Sequence, residues 1–291
     1  NSLSVDASAL SGGASSVNGT SSTTGDAVGG TINVTINGGA ILASDSSIGF
    51  DASAQAASGE NRGNARGGTI AVTAIGSGGN SSITALTTIT ANASVGGANG
   101  TLPNSTGTAT GGDIYFTADG GTITAGSFDI AATAASGNSA GAGGAAQGGT
   151  IDIRAANTGV FSATDSAGTS SFATDAATGF SQGGASATGG RIGVVVDGGT
   201  VSFGAPAFFS STGIAGGDAS SAGNIVVGRG GSILLQVLDN NLNTSTLNFQ
   251  SLSVSADGRA AQIFEGPAQM PGTAAGNGGD ITVDVQGGQV T

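Results

Sequence analysis

The sequence predicts an all-β chain wound as a parallel β-solenoid, on three observations. Gly-Gly pairs followed by an Ile-led apolar run return about every 40 residues along the 291-residue chain. Within those runs apolar and polar residues alternate with period 2, the signature of a strand. Glycine contributes 57 residues and charged residues only 8%, so short strands must share a core of small side chains.

The repeat is most visible in blocks opening at Gly29 (GGTINVTI), Gly67 (GGTIAVTA), Gly111 (GGDIYFTA), Gly148 (GGTIDIRA), Gly189 (GGRIGVVV) and Gly278 (GGDITVDV), with a degenerate copy, AGNIVVGR, at Ala222. Their lead residues, Ile32, Ile70, Ile114, Ile151, Ile192, Ile225 and Ile281, are 38, 44, 37, 41, 33 and 56 residues apart. In TINVTI the apolar Ile32, Val34 and Ile36 alternate with Thr31, Asn33 and Thr35, and runs this short suit strands rather than helices. A second strand is predicted at Gly38-Gly-Ala-Ile-Leu-Ala, Gly120-Gly-Thr-Ile-Thr-Ala, Gly198-Gly-Thr-Val-Ser-Phe, Gly230-Gly-Ser-Ile-Leu-Leu and Gly287-Gly-Gln-Val-Thr. A third aligns FDASAQAASG at Phe50 with FDIAATAASG at Phe128, with looser copies at Leu3, Ile89 and Leu252. A Gly/Ser/Ala/Asn-rich loop then leads to the next Gly-Gly pair. The reading is therefore three strands per repeat, with glycines at corners where positive φ is often required.

Like segments recur one whole repeat apart, which favours like-on-like stacking over a hairpin meander. An isolated repeat buries too few small side chains to offset roughly 1–2 kcal/mol per residue of backbone ordering, so stability belongs to the array. The Ala and Ser of the third strand predict a thin core on that side, with Phe50 and Phe128 filling wider corners. Variable loops are expected along one edge. The longest repeat, with LLQVLDNNLNTSTLNFQ from Leu234 and Pro267 and Pro271, is read as an extra strand pair or a projecting loop. The whole of 1–291 is taken as one solenoid segment, expected to belong to a longer array because neither end reads as a polar cap.

Composition narrows function. Only four prolines and no G-X-Y period exclude collagen, and 37% hydrophobic residues with little charge exclude a disordered chain. Six Arg, no Lys and no His against 18 acidic residues give a net charge of −12, which repels nucleic acid and anionic membranes. There is no Cys for a disulfide or thiolate site, no run of about 20 apolar residues to span a bilayer, and no signal-peptide pattern at Asn1. No membrane insertion by this segment is expected.

The pattern GGxIxVxxxGGxIxA…AxAxxxG…GG resembles the repeats of filamentous haemagglutinin-like proteins and large bacterial β-strand-repeat adhesins, over essentially the whole chain. The resemblance implies a right-handed parallel β-helix, export by two-partner or autotransporter-type secretion, and an extracellular or cell-surface location. The Asn-Pro-Asn-Gly motif of the two-partner secretion domain is absent, as is any Asn-Pro.

Chemistry finds few supports. Solenoid polysaccharide lyases and glycosidases use Asp pairs with Arg or Lys, so Asp152 with Arg154, or Asp197 with Arg191, are the nearest candidates. Asp152 and Arg154 share one strand face, which reads as a solvated surface pair. Nothing marks two carboxylates at a glycosidase separation. The calcium β-roll nonapeptide is missing; GNGGDITVD (Gly276 to Asp284) matches it loosely, and Asp113 and Asp280 share a repeat position filled elsewhere by Thr31, Thr69, Thr150 and Arg191. The Thr columns are too interrupted for an ice-binding face, and the Gly-rich loops lack the Lys and helix of a phosphate cradle. The sequons at Asn33 and Asn92 are at the frequency expected by chance. No catalytic, cofactor-binding or metal-ligating residue is assigned, and no enzyme activity is expected. The expected role is a structural or adhesive stalk or filament segment. Its partners are neighbouring repeats, self-assembled fibres or a coat, and surface carbohydrate or a host or cell surface. The alternatives are an exported carbohydrate-binding or carbohydrate-active β-helix and a calcium-dependent surface-layer protein.

Overall fold

Alternating apolar and polar residues between Gly-Gly corners fold into a parallel β-solenoid. The computed structural model describes residues 2–11, 25–43, 46–56, 63–76, 80–96, 107–217, 224–238, 243–262 and 273–291. Among them there is no helix, and strands pair in parallel throughout the four principal sheets.

The first sheet stacks Thr31–Asn37, Thr69–Ile75, Asp113–Asp119, Thr150–Ala156, Arg191–Asp197, Ser232–Leu238 and Asp280–Val285 in chain order. Its register aligns Ile32, Ile70, Ile114, Ile151, Ile192, Ile233 and Ile281 in one column. The degenerate copy is therefore corrected. GGSILL at Gly230 opens a first-sheet strand rather than a second strand. Ile225–Arg229 lies in another sheet, paired with Ala185–Thr188 and Thr273–Asn277. Burial decides between the two similar strings, since Ile233 is 1% exposed and Ile225 58%. The spacings between lead residues become 38, 44, 37, 41, 41 and 48.

The second sheet joins two runs that the sequence kept apart. Ala40–Ala43 and Ile48–Asp51 both pair with the single strand Ser82–Asn92, which stacks on Thr122–Ala131. A register shift between Ala85 and Thr88 marks the bend between the two halves. The chain then turns into a third sheet of short strands, including Ala54–Gln55, Ala134–Ser136 and Gly213–Gly217. A fourth sheet, including Ala65–Arg66, Ala109–Thr110, Ala185–Thr188 and Ile225–Arg229, precedes each lead Gly-Gly pair, where loop was expected except at Ile225–Arg229, read as a lead strand. One repeat thus makes one coil with four sheet positions instead of three. Of the long last repeat, Ser232–Leu238 and Thr246–Ser255 are ordinary strands of the first and second sheets, with no extra strand pair among the described residues; the expected projecting loop falls on 239–242 and 263–272, outside them. Pro267 and Pro271 lie outside the described residues.

The core has two lobes. Between the first and second sheets, Ile70, Ile114, Ile151, Phe116, Phe128, Phe161, Phe172, Phe203 and Phe209 are almost wholly buried. Between the third and fourth sheets the lobe is thin and lined by Ala, among them Ala54, Ala65, Ala109, Ala134, Ala146 and Ala187. The expected thin side is there, and Phe50 and Phe128 sit in the wide lobe. Their alignment is corrected by two residues. Phe50 stacks through Ala91 on Ile130, while Phe128 stacks through Ile89 on Ile48. A two-residue slip leaves every side chain on its own face, so string similarity could not fix it.

A row of backbone hydrogen bonds pinches the two lobes apart. The second glycine of each pair donates across the coil to a carbonyl at the opposite corner: Gly30 to Ala7 (2.7 Å), Gly68 to Ala52 (2.7 Å), Gly112 to Ala93 (2.8 Å), Gly149 to Ala132 (2.7 Å), Gly190 to Thr174 (2.7 Å), Gly231 to Ser211 (2.8 Å) and Gly279 to Ala256 (2.6 Å). These pairs do not have positive φ; glycine is required there by close approach. Among the described residues positive φ is confined to the corner between the first and second sheets, at Gly38, Gly120 and Gly198 (φ +74°, +70° and +72°), with Gly287 and Gly288 and, where the pair is missing, Asn157 and Thr158.

Candidate functional site

Of the four ion pairs among the described residues, two lie wholly on the outward face of the first sheet and a third, Arg66–Asp113, has its carboxylate there. In-register stacking puts Asp113, Thr150 and Arg191 in one column, Tyr115, Asp152 and Gly193 in the next, and Thr117, Arg154 and Val195 in a third. Asp113 and Asp280 share a column, as the repeat suggested, but Ser232 stands beside Asp280 in it.

The candidate pairs are brought together, with partners exchanged. Asp152 does not pair with Arg154. Its Oδ2 accepts from Arg191 Nη1 of the next coil at 3.3 Å, and Arg154 Nη2 donates to Asp197 Oδ2 at 3.3 Å. Residues two apart on one strand diverge along it, whereas neighbours on adjacent coils are about 4.8 Å apart, so the ladder reaches the diagonal partner first. Arg66 approaches Asp113 at 4.0 Å. All three Arg side chains are about half exposed or more, so each pair adds at most about 1 kcal/mol.

Gly193 shapes the surface. A Cβ there would lie 2.3 Å from Asp152 Oδ1, so the carboxylate occupies the space a side chain would need. Around this notch is an open cleft of about 430 Å³, lined by Tyr115, Thr117, Asp152, Ile153, Arg154, Arg191, Val195 and Leu238. Tyr115, the only tyrosine in the chain, was not singled out from the sequence. The signal was present, since GGDIYFTA alone among the lead blocks has an aromatic residue at an outward position.

Desolvation in the cleft pushes the Asp152 carboxyl above its ordinary value of 3.8; Arg191 pulls it down and Asp113 pushes it up. Burial first, then Asp113 and Asp152, push the Tyr115 hydroxyl upward against the pull of Arg191. For Asp152 the folded state holds the proton more tightly than the unfolded chain. Its contribution to stability is therefore fullest below the ordinary value and is lost as pH rises through the raised one. Carboxyl ¹³C titration should give an Asp152 midpoint above 3.8. Arg191→Gln should move it further up and Asp113→Asn back down; an unshifted midpoint in all three proteins would refute this electrostatic account.

Several acidic and amide side chains elsewhere are held by local hydrogen bonds. Asp284 Oδ2 accepts from Gln236 Nε2 (2.9 Å) and Gln286 Nε2 (2.8 Å). Asn92 Oδ1 accepts from the Ser94 amide at 3.1 Å, closing a turn at the corner of the second sheet. Among the described residues no three acidic side chains are grouped to hold a metal ion. No helix among them is long and apolar enough to cross a membrane. Protein-family models, curated proteins and solved structures alike include none that matches this chain.

Proposed function

We propose that this chain is a structural spacer in a bacterial cell-surface protein of the filamentous haemagglutinin-like kind, holding an adhesive element away from the envelope. The observation that supports it most is the column-by-column stacking of like residues, Ile on Ile and Gly-Gly on Gly-Gly, through seven first-sheet strands. Each coil is interchangeable in kind with its neighbour, so length can grow by adding coils without redesigning a core. The same stacking suits self-assembly into fibres or a coat. Net charge of −12 with scattered Arg keeps such a surface soluble and away from polyanions.

Immunogold labelling of intact producing cells tests the reading. Antibody to this segment should decorate the outside, at a distance from the membrane. Label appearing only after permeabilisation would overturn it.

A further inference from the structure

The cleft on the first sheet has the make-up of a ligand site rather than of a strand surface. Its volume of about 430 Å³ falls within the usual range for small-ligand clefts. The lining offers apolar surface from Tyr115, Val195 and Leu238 interleaved with carboxylate, guanidinium and hydroxyl groups from Asp152, Arg154, Arg191 and Thr117, while the Ile153 side chain is turned into the core. Tyr115 is 37% exposed, so part of it remains available to a ligand. The ion pairs Asp152–Arg191 and Arg154–Asp197 each join through one nitrogen and one oxygen at 3.3 Å, leaving further donors and acceptors on the same groups.

The charge around the cleft is paired off. Of the charged lining residues Arg191 is paired with Asp152, and Arg154 with Asp197 just outside the lining. A polyanion gains nothing from such a site and is repelled by the chain as a whole, and a polycation meets the two arginines. A neutral ligand rich in hydroxyls fits: adjacent hydroxyls match the two-pronged geometry of carboxylate and guanidinium, and the carbon face of a sugar ring suits an aromatic neighbour. The coils repeat at about 4.8 Å along the axis, close to one unit of an extended pyranose chain.

We propose that this cleft binds a neutral oligosaccharide, with one sugar ring against Tyr115 and its hydroxyls on Asp152, Arg191 and Arg154. The proposal does not depend on the spacer reading, and its test is made on the isolated chain, so the two can fail separately.

Tyr115 supplies the readout. With one Tyr and no Trp, emission excited at 280 nm reports this residue alone. Cellohexaose, maltohexaose and chitohexaose are each titrated, with a heparin-derived hexasaccharide as the anionic arm. At least one neutral hexasaccharide should change the emission saturably, with a midpoint below about 5 mM, and the heparin fragment should not. Asp152→Asn, which keeps Tyr115 in place, should weaken binding about tenfold or more at an unchanged melting temperature. Asp257→Asn, at a distant exposed pair, should leave it unaltered. No saturable change with any neutral sugar, binding of the heparin fragment alone, calorimetric heat without a Tyr115 response, or equal binding by Asp152→Asn would each overturn the proposal.

Discussion

Gly149→Ala should lower stability by about 3 kcal/mol or more, among the larger effects a single added methyl produces. A Cβ at residue 149 would lie 1.9 Å from the Gly112 carbonyl oxygen and 2.7 Å from the Gly111 carbonyl carbon, both backbone atoms. Neither can retreat cheaply. Gly112 O already accepts from the Thr150 amide at 2.9 Å, and the Gly149 amide spans the coil to Ala132 O at 2.7 Å. Moving one strand to make room would lengthen both the ladder bond and the bond across the waist. Gly39→Ala is the matched control, because nothing lies within 4 Å of a Cβ there and its φ is not positive. Its change should stay within about 0.5 kcal/mol. Urea unfolding followed by circular dichroism measures both; equal midpoints would mean that close approach is not what places glycine in these pairs.

Phe161→Ala should cost about 3–5 kcal/mol. The ring is fully buried in the wide lobe, stacked on Phe128 at 4.2 Å between centroids and set edge-on to Phe116 (5.8 Å) and Phe203 (6.1 Å). The surrounding coils are fixed by ladders on either side, so collapse around the cavity is limited and the loss stays near the upper half of that range. Phe208→Ala removes the same side chain from the outward face of the second sheet, where it is 45% exposed, and should cost about 0.5 kcal/mol or less. Because Phe128 touches the same ring, the double variant Phe128→Ala with Phe161→Ala should lose less than the sum of the singles, by about 1 kcal/mol. Additive losses would show that the two rings do not stabilise one another.

Much of this architecture could be read directly from residue order. Period 2 in TINVTI and its copies fixed strand type and the inward face, and the recurrence of Gly-Gly-x-Ile fixed which strands stack on which for six of seven coils. The failures share a cause. GNIVVGR and GGSILLQV both satisfy the local pattern, and only the burial of Ile233 against exposed Ile225 separates them. The Phe50 and Phe128 strings differ by an even slip that no facing rule detects. The short fourth-sheet strands, such as Ala65–Arg66 and Ala109–Thr110, carry too few residues to show a period at all.

The candidate site was legible only as a list of types. Asp152, Arg154, Arg191 and Asp197 stand out in a chain with so little charge, but their partnership depends on neighbours about 40 residues away and on the diagonal reach between coils. Tyr115 and Gly193 acquire meaning only when they fall in one column with Asp152.

By itself the sequence determined that the chain is all-β, that its strands have one apolar face, and that its stability is spread over stacked copies. Those properties are set by alternation and recurrence, which are local. Tertiary structure decided the register, the division of each coil into a wide phenylalanine lobe and a thin alanine lobe, and the cleft beside Tyr115. The reason is geometric: hydrogen bonds across the waist and between coils join residues distant in the chain, and only their combined closure selects one arrangement among strings that are locally equivalent.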